Sequence, residues 1–234
     1  MIALHLMAAL LLLAFPAWDY LEARHLRTTA APQARSRCYI RAIAVLWLAT
    51  FATLALLPFD TLWNASAPMR ALMEGKISPD FYLVFVPAAA LGVLMPLAIA
   101  SLHAGMRRSL LAQFDAIDYL LPRTATDIAL FAAVSVTAGI CEEVLFRGFL
   151  FHYLEASWNL SPQTTLLLGS ALFGLAHAGQ GPRGMALTGI AGLVLGGLYL
   201  ATGNLLAPIV LHILIDLRAT GVAWLRTRHW GQTA

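Results

Sequence analysis

Seven apolar segments, each close to the length that crosses a lipid bilayer, constrain this chain more than any other feature. A spanning helix needs about 20 largely apolar residues, because the hydrocarbon core of a bilayer is about 30 Å thick. The segments cover residues 2–18, 38–58, 81–102, 128–154, 163–178, 185–202 and 205–225. The sequence therefore predicts an all-α fold, a polytopic transmembrane helix bundle of about seven spans.

Composition excludes the common classes of soluble protein. Hydrophobic residues make up 60% of the chain and charged residues only 12%, whereas an ordinary soluble domain has roughly 25% charged residues. So apolar a chain cannot present the charged exterior that a soluble fold needs, and it is not disordered. The net charge of +3 comes from scattered basic residues, which excludes a nucleic-acid-binding domain. The expected partner is the lipid bilayer.

The basic residues predict how the bundle is oriented. Of the fifteen Lys and Arg residues, twelve lie in regions that alternate along the chain: the loop after the first segment, the loops after the third and fifth segments, and the tail. Arg70 and Lys76 lie on the opposite side, and Arg147 lies inside a segment. Because cytoplasmic loops are enriched in basic residues, we expect a cytoplasmic C-terminus and an N-terminus outside, in a bacterial inner membrane.

Residues 103–125 have the pattern of an amphipathic helix. Six apolar residues recur there at helical spacing, with charged residues between them: Leu110, Leu111, Phe114, Ile117, Leu120 and Leu121. The pattern predicts an interfacial helix on the cytoplasmic face. An ordinary solvated connector is the alternative.

The segment 128–154 contains two glutamates and one arginine, whose charges are costly inside a membrane and therefore indicate function. Glu143 and Arg147 are four residues apart, share a helical face and are expected to pair. Glu142 points about 100° away from Glu143 and has no local partner. A lone carboxylate in an apolar site suits a general base or acid. The alternative is that Glu142 bonds a hydroxyl on another helix.

Two further segments carry ionisable side chains. His177 follows Phe173 near the end of the fifth segment, and His212 and Asp216 stack one turn apart in the seventh. Taken singly, His177 is more often a satisfied interface residue, and Asp216 would merely orient His212. Together with Glu142 they lie on three apolar spans, where convergence would satisfy them and hold a water. A carboxylate and histidine that activate water, facing donors for an oxyanion, are what peptide hydrolysis requires.

Glu142 and His177 can converge only if both lie at the same depth in the membrane. Counted from Asp127, Glu142 lies about 22 Å along its helix at 1.5 Å per residue, whereas His177 lies near the cytoplasmic end of its segment. We therefore expect the fourth segment to enter the membrane near residue 133, with residues 124–132 at the interface.

At these residues the sequence resembles the CPBP intramembrane proteases. This family includes type II CAAX prenyl endopeptidases, bacteriocin self-immunity proteins and lysostaphin resistance protein A-like proteins. Its ordered motifs E-E-x-x-x-R, F-x-x-x-H and H-x-x-x-N/D match Glu142 to Arg147, Phe173 to His177 and His212 to Asp216. The resemblance covers about residues 124–220. It divides the chain into N-terminal transmembrane helices with a cytoplasmic loop, 1–110, and a protease core, 111–234.

The resemblance implies a role for each matched residue. Glu142 would be the base that activates water, assisted by His177, and Arg147 would hold Glu143 as an orienting pair. His212 and Asp216 would form the oxyanion side. The family often has Asn at the last position, and an ionised Asp216 would repel an oxyanion. Asp216 is therefore either protonated or only orients His212. The implied substrate is a membrane-associated or prenylated, CAAX-like peptide or lipidated protein.

The resemblance also raises the question of a metal. Members of the family are described as metalloproteases, and Glu143, His177 and His212 form a two-histidine, one-carboxylate set that would suit zinc. Because Arg147 is expected to occupy Glu143, we favour catalysis without a cofactor, with zinc as the alternative.

A non-catalytic membrane protein is the competing function, either a proton-coupled transporter or an immunity factor that binds a partner. A transporter would more often show two inverted halves.

Overall fold

Helices make up the fold. The computed structural model describes residues 1–29, 31, 33–73, 78 and 80–230, and within them it contains no β-strand. Lys76, counted above for the orientation, lies outside the described residues. The helices are α1 (Ile2–Thr28), α2 (Ala34–Leu56), α3 (Phe59–Trp63), α4 (Ala67–Met73), α5 (Phe81–Leu102), α6 (Ala104–Ala112), α7 (Ala125–Trp158), α8 (Pro162–Ala176), α9 (Gly181–Thr202) and α10 (Leu206–Trp230).

The prediction of an all-α polytopic bundle is confirmed. Within the described residues, six helices are long and apolar enough to cross a membrane: α1, α2, α5, α7, α9 and α10. The remaining predicted segment, 163–178, forms α8, which has only 15 residues. At 1.5 Å per residue α8 is about 22 Å long, shorter than the roughly 30 Å hydrocarbon core. One of its ends therefore lies inside the bundle.

Local sequence explains where the two central helices begin and end. The Thr124 side chain accepts a hydrogen bond from the Asp127 amide at the start of α7, and Ser161 caps α8 in the same way. Pro162 follows at the first position of α8, where a missing amide proton costs nothing. Asn159 ends α7 in the left-handed conformation, with φ of 50°, which Asn tolerates better than most residues.

The α7–α8 hairpin brings Glu142 and His177 to the same level. Glu142 lies 16 residues before Trp158, and His177 lies 15 residues after Pro162. Both are therefore about 22–24 Å from the turn that joins the helices. The late entry of the fourth segment that we expected is not the reason, since residues from Ala125 onward are simply the first turns of α7.

Close packing of α10 against α7 completes the arrangement. At Gly139 a Cβ atom would lie only 2.4 Å from Ile213 Cγ1 and 2.9 Å from the Ile213 backbone nitrogen. Only glycine permits this approach, one turn before Glu143 and beside His212. The two helices that carry the ionisable residues are thus held in direct backbone contact.

The stretch 103–125 is not one continuous helix, and in this respect the prediction was wrong. It forms α6, a 3₁₀ turn at Asp115–Ile117 and irregular chain up to α7. Two side chains of α2 hold the irregular part against the bundle. Tyr39 Oη donates to the Leu120 carbonyl at 2.5 Å, and Arg35 Nε donates to the Tyr119 carbonyl at 3.0 Å. These two bonds hold the connector beside α2.

Candidate active site

A buried chain of three charged or polar side chains forms the base of the site. Arg147 Nη1 donates to Glu143 Oε1 at 2.7 Å, and His212 Nδ1 donates to the same oxygen at 2.7 Å. The Glu143 side chain is 0% exposed and that of Arg147 1%. The ion pair that the four-residue spacing predicted is therefore present. Glu143 of this pair also accepts a hydrogen bond from His212, which lies on a different helix. The sequence did not predict this second contact.

Arg147 has two further partners besides Glu143. Its Nη2 donates to the Gly192 carbonyl of α9 at 3.1 Å, and its guanidinium lies 4.4 Å from the centre of the Phe173 ring. A buried charge is tolerated only when it is paired and hydrogen-bonded. These contacts meet that requirement, and they tie α7 to α8 and α9 around the site.

Glu142 faces the two imidazole rings from the side of α7. Its Oε2 lies 3.7 Å from His177 Nε2 and 3.9 Å from His212 Nε2. Both separations are too long for a hydrogen bond and suit bridging by a water. The same oxygen is buried and has no hydrogen-bond partner among the described residues. Glu142 is thus unpaired, as its position on the helix predicted, and is the group placed to act as a base. Among the described residues, no hydroxyl group on another helix donates a hydrogen bond to this oxygen.

His177 is oriented by its own helix. Its Nδ1 donates to the Phe173 carbonyl at 2.9 Å, since a carbonyl oxygen only accepts. Nε2, the nitrogen that faces Glu142, therefore carries no proton in the neutral ring. The arrangement presents a carboxylate oxygen and an imidazole lone pair toward one point.

Asp216 lies at the outer edge of this group. Its Oδ2 is 3.8 Å from His212 Nε2, and its side chain is 34% exposed. The hydrogen bond that orients the His212 ring comes from Glu143 and not from Asp216. This leaves Asp216 facing the same space as Nε2 of His212.

Phe173 is part of the site, although the sequence indicates it only as a motif position. Its ring makes edge-on contacts with His177 and His212, at centroid distances of 4.9 and 5.9 Å. The ring is buried and also contacts the Arg147 guanidinium. The signal for this role was present in the F-x-x-x-H spacing, which places Phe173 one turn before His177.

The seven residues after Glu143, Val144–Leu150, form a π-helical stretch that the sequence did not predict. All seven are buried. Such stretches often occur at functional sites, because they change the direction of side chains within a helix. Here the stretch contains Arg147.

A large cavity gives access to the reactive groups. Its volume is about 780 Å³, and Glu142, His177, His212 and Asp216 line it. The other lining residues are mostly apolar and come from α1, α2, α5, α9 and the 112–120 connector as well as from α7, α8 and α10. Glu143 and Arg147 do not line it. A second cavity of about 370 Å³, near Ser66 and Glu155, contains none of the site residues.

The zinc set named from the sequence does not fit this geometry. Glu143 Oε1 already accepts hydrogen bonds from Arg147 and His212, and the guanidinium 2.7 Å away would repel a cation. His177 faces Glu142 and not Glu143. Among the described residues, no three His, Cys, Asp or Glu side chains are arranged to hold a metal ion.

The sequence of the region that carries these residues matches a known family. Residues 124–218 match the family model described as type II CAAX prenyl endopeptidase Rce1-like. This part of the chain is similar to that family, and we refer to residues 124–218 as the Rce1-like domain. The resemblance to the CPBP proteases is thereby confirmed for these residues. No curated protein and no solved structure matches the chain significantly.

The Rce1-like domain contains every site residue that the sequence singled out, namely Glu142, Glu143, Arg147, His177, His212 and Asp216. It does not contain the whole cavity, because α1, α2, α5 and the connector contribute walls from outside residues 124–218. The chain is thus an integral membrane protein with a protease-family domain whose cavity is completed by the N-terminal half.

Proposed function

We propose that the protein is an intramembrane endopeptidase that hydrolyses a peptide bond with a water activated by Glu142. The observation that carries the proposal is the unpartnered, buried Oε2 of Glu142, which faces two imidazole nitrogens at 3.7 and 3.9 Å within a large cavity. A buried carboxylate without a partner is costly. Its persistence beside two histidines favours a catalytic role over a structural one.

In the proposed reaction, a water between Glu142 and His177 attacks the carbonyl carbon of the scissile bond. Glu142 removes one proton from the water, and the carbonyl oxygen becomes an oxyanion. Collapse of this tetrahedral intermediate breaks the C–N bond, and Glu142 returns the proton to the leaving amine. The products are a new carboxylate and a new amine. His177 holds the water through Nε2.

His212 and Asp216 are proposed to stabilise the oxyanion. Because Nδ1 of His212 donates to Glu143, Nε2 donates to an oxyanion only when the ring is an imidazolium. We propose that Asp216 acts in its protonated form, so that its O–H is the second donor. Glu142 Oε2 and Asp216 Oδ2 both lie within 4 Å of His212 Nε2, and carboxylates that share one site favour keeping one of them neutral. The family's frequent Asn at this position is also a neutral donor.

Glu143 and Arg147 are proposed to position these groups and not to react. They are fully buried, do not line the cavity, and hold His212 from behind. The proposal routes no step through a metal ion, because the carboxylate named as a ligand is occupied by Arg147 and His212.

The cavity supports a substrate that carries a large apolar group near the scissile bond. Its walls are mainly apolar, including Leu46, Val93 and Leu195, and Glu142 lies on the same cavity. We therefore propose a membrane-associated or prenylated, CAAX-like peptide as the substrate class.

We expect Glu142→Gln to abolish cleavage without changing the fold. Glutamine keeps the size of the side chain but cannot take a proton, so the cleavage rate should fall by a factor of about 10²–10⁴. The measurement is cleavage of a farnesylated CAAX peptide and of its unprenylated equivalent by the detergent-solubilised protein, with thermal stability recorded in parallel. Glu155→Gln, a substitution on the same helix outside the active-site cavity, is the matched control.

An active Glu142→Gln variant would contradict the assignment of the base and favour the non-catalytic alternative, a transporter or immunity factor. A wild-type protein that cleaves neither peptide would contradict the endopeptidase itself.

We expect the Asp216→Asn variant to keep cleavage within about threefold of wild type, because asparagine has the shape and donor of a protonated aspartic acid. Asp216→Ala should lose about 10²-fold, as enzymes do when one oxyanion donor is removed. Steady-state cleavage by both variants checks this pair. Equal losses in Asn and Ala would show that the negative charge of Asp216 is what matters.

We further propose that the protein lies in a bacterial inner membrane with the ends of α1 and α10 near residues 28 and 226 in the cytoplasm, following the twelve-to-two distribution of basic residues. His25→Cys and Gln163→Cys place exposed thiols at opposite ends of the bundle, while the native Cys38 and Cys141 are buried. In intact cells an impermeant maleimide should label position 163 and not position 25. The reverse pattern would overturn the orientation.

A further inference from the structure

The backbone of Gly179, two residues after His177, is held at both its amide and its carbonyl by residues of the N-terminal half. Asp19 Oδ2 accepts a hydrogen bond from the Gly179 amide at 2.6 Å, and Arg27 Nη2 donates to the Gly179 carbonyl at 2.6 Å. Tyr119 Oη donates to the same carbonyl at 3.2 Å. The backbone of this one residue therefore has three side-chain partners from α1 and the connector, all outside the Rce1-like domain. We call Asp19, Arg27 and Tyr119 the Gly179 clamp.

The members of the clamp also support one another. The Arg27 guanidinium lies over the Tyr119 ring, 4.1 Å from its centre, in the geometry of a cation–π contact. Burial raises the pKa of the Tyr119 hydroxyl to about 12, so the hydroxyl keeps its proton and remains a donor at neutral pH. Two members of the clamp thus contact one another as well as Gly179.

Glycine is required at position 179. A Cβ atom there would lie 2.7 Å from Ala23 Cβ and 2.8 Å from both the carbonyl oxygen and Oδ2 of Asp19. Helix α1 therefore lies directly on the turn, and the clamp could not close on a larger residue without a shift of the backbone.

The clamped turn is the segment that follows His177. His177 directly follows the last residue of α8 and caps the helix, and the 3₁₀ turn Ala178–Gln180 comes next. The Gln180 amide donates back to the His177 carbonyl at 3.0 Å. Among the described residues, the His177 ring is hydrogen-bonded only to the Phe173 carbonyl of its own helix. Displacement of the turn would therefore move Nε2 relative to Glu142.

We propose that Asp19 and Arg27 are positioning residues for His177, so that helix α1 sets the distance between the histidine and the water-activating carboxylate. The proposal rests on the proposed function, since it concerns the same site. It assigns to the N-terminal half a part in catalysis beyond lining the cavity. A displacement on the order of 1 Å at a reacting group is enough to cost about 10²-fold in rate.

A merely structural role would have different consequences. Loss of a structural contact lowers stability and the amount of folded protein, but leaves the turnover of the folded molecules unchanged. Loss of a positioning contact lowers kcat while KM stays near its wild-type value. The two roles are therefore separated by kinetics of the folded protein and by a direct probe of His177.

The test uses four variants of the full chain. Arg27→Ala removes the donor to the Gly179 carbonyl without touching the cavity lining. Arg24→Ala is the matched control, with the same change of charge on an exposed residue of the same helix. Asp19→Ala removes the acceptor for the Gly179 amide, whereas Asp19→Asn keeps a side-chain oxygen that can accept it.

We expect kcat for the farnesylated CAAX peptide to fall about 10- to 100-fold in Arg27→Ala and Asp19→Ala, with KM within about twofold of wild type. Asp19→Asn should recover most of the loss, and Arg24→Ala should match wild type. Carbethoxylation of His177 by diethylpyrocarbonate, followed by mass spectrometry, should change in rate in the two alanine variants of the clamp and not in Arg24→Ala. This second readout does not depend on cleavage.

Wild-type kcat and unchanged His177 reactivity in folded Arg27→Ala would overturn the proposal, even if Asp19→Ala fails to fold. Failure of the proposed function looks different. In that case wild type would not cleave the peptide, or Glu142→Gln would remain active, while the reactivity of His177 would still report whether the clamp positions it.

Discussion

The buried ion pair between Glu143 and Arg147 is the interaction on which the rest of the site depends. Two charges inside an apolar bundle are stable only when they are paired and hydrogen-bonded. Arg147 contacts Glu143, the Gly192 carbonyl and the Phe173 ring, and Oε1 of Glu143 accepts hydrogen bonds from both Arg147 and His212. The pair therefore draws α8, α9 and α10 toward α7. His212, which the pair holds, is one of the two histidines that face Glu142. The reactive geometry thus depends on an ion pair that does not itself react.

The local parts of this arrangement were predictable from the sequence, because they depend on helical periodicity. The spacing of Glu143 and Arg147 predicted their contact, and the 100° offset of Glu142 predicted that it would remain unpaired. The long-range parts were not predictable in the same way. The hydrogen bond between His212 and Glu143 joins residues 69 positions apart, and its existence depends on how closely α10 packs on α7 at Gly139. The break in the 103–125 stretch likewise depends on side chains of α2. Because these residues are far from the stretch along the chain, the hydrophobic pattern of the stretch gives no sign of them.

The depths of Glu142 and His177 in the bundle depend on the end from which residues are counted. Counting from the cytoplasmic side places Glu142 deep and His177 shallow, and therefore predicts a late entry of the fourth segment into the membrane. Counting from the α7–α8 turn places both residues at the same level, because α8 is only 15 residues long. A short helix ends inside the bundle, and the turn that follows it must then be covered. Helix α1 covers it, which is why residues of the N-terminal half contact the site although none of them lies in the Rce1-like domain.

The central claim is that Glu142 activates a water and does not itself attack the substrate. A single-turnover reaction in water enriched in ¹⁸O, with enzyme in excess over a farnesylated CAAX peptide, tests it most directly. The account predicts that the new carboxylate of the product carries one ¹⁸O atom and that the peptide containing Glu142 carries none. A product with only ¹⁶O, together with ¹⁸O in the Glu142 carboxylate after the turnover, would mean that Glu142 forms a covalent intermediate and would contradict the account.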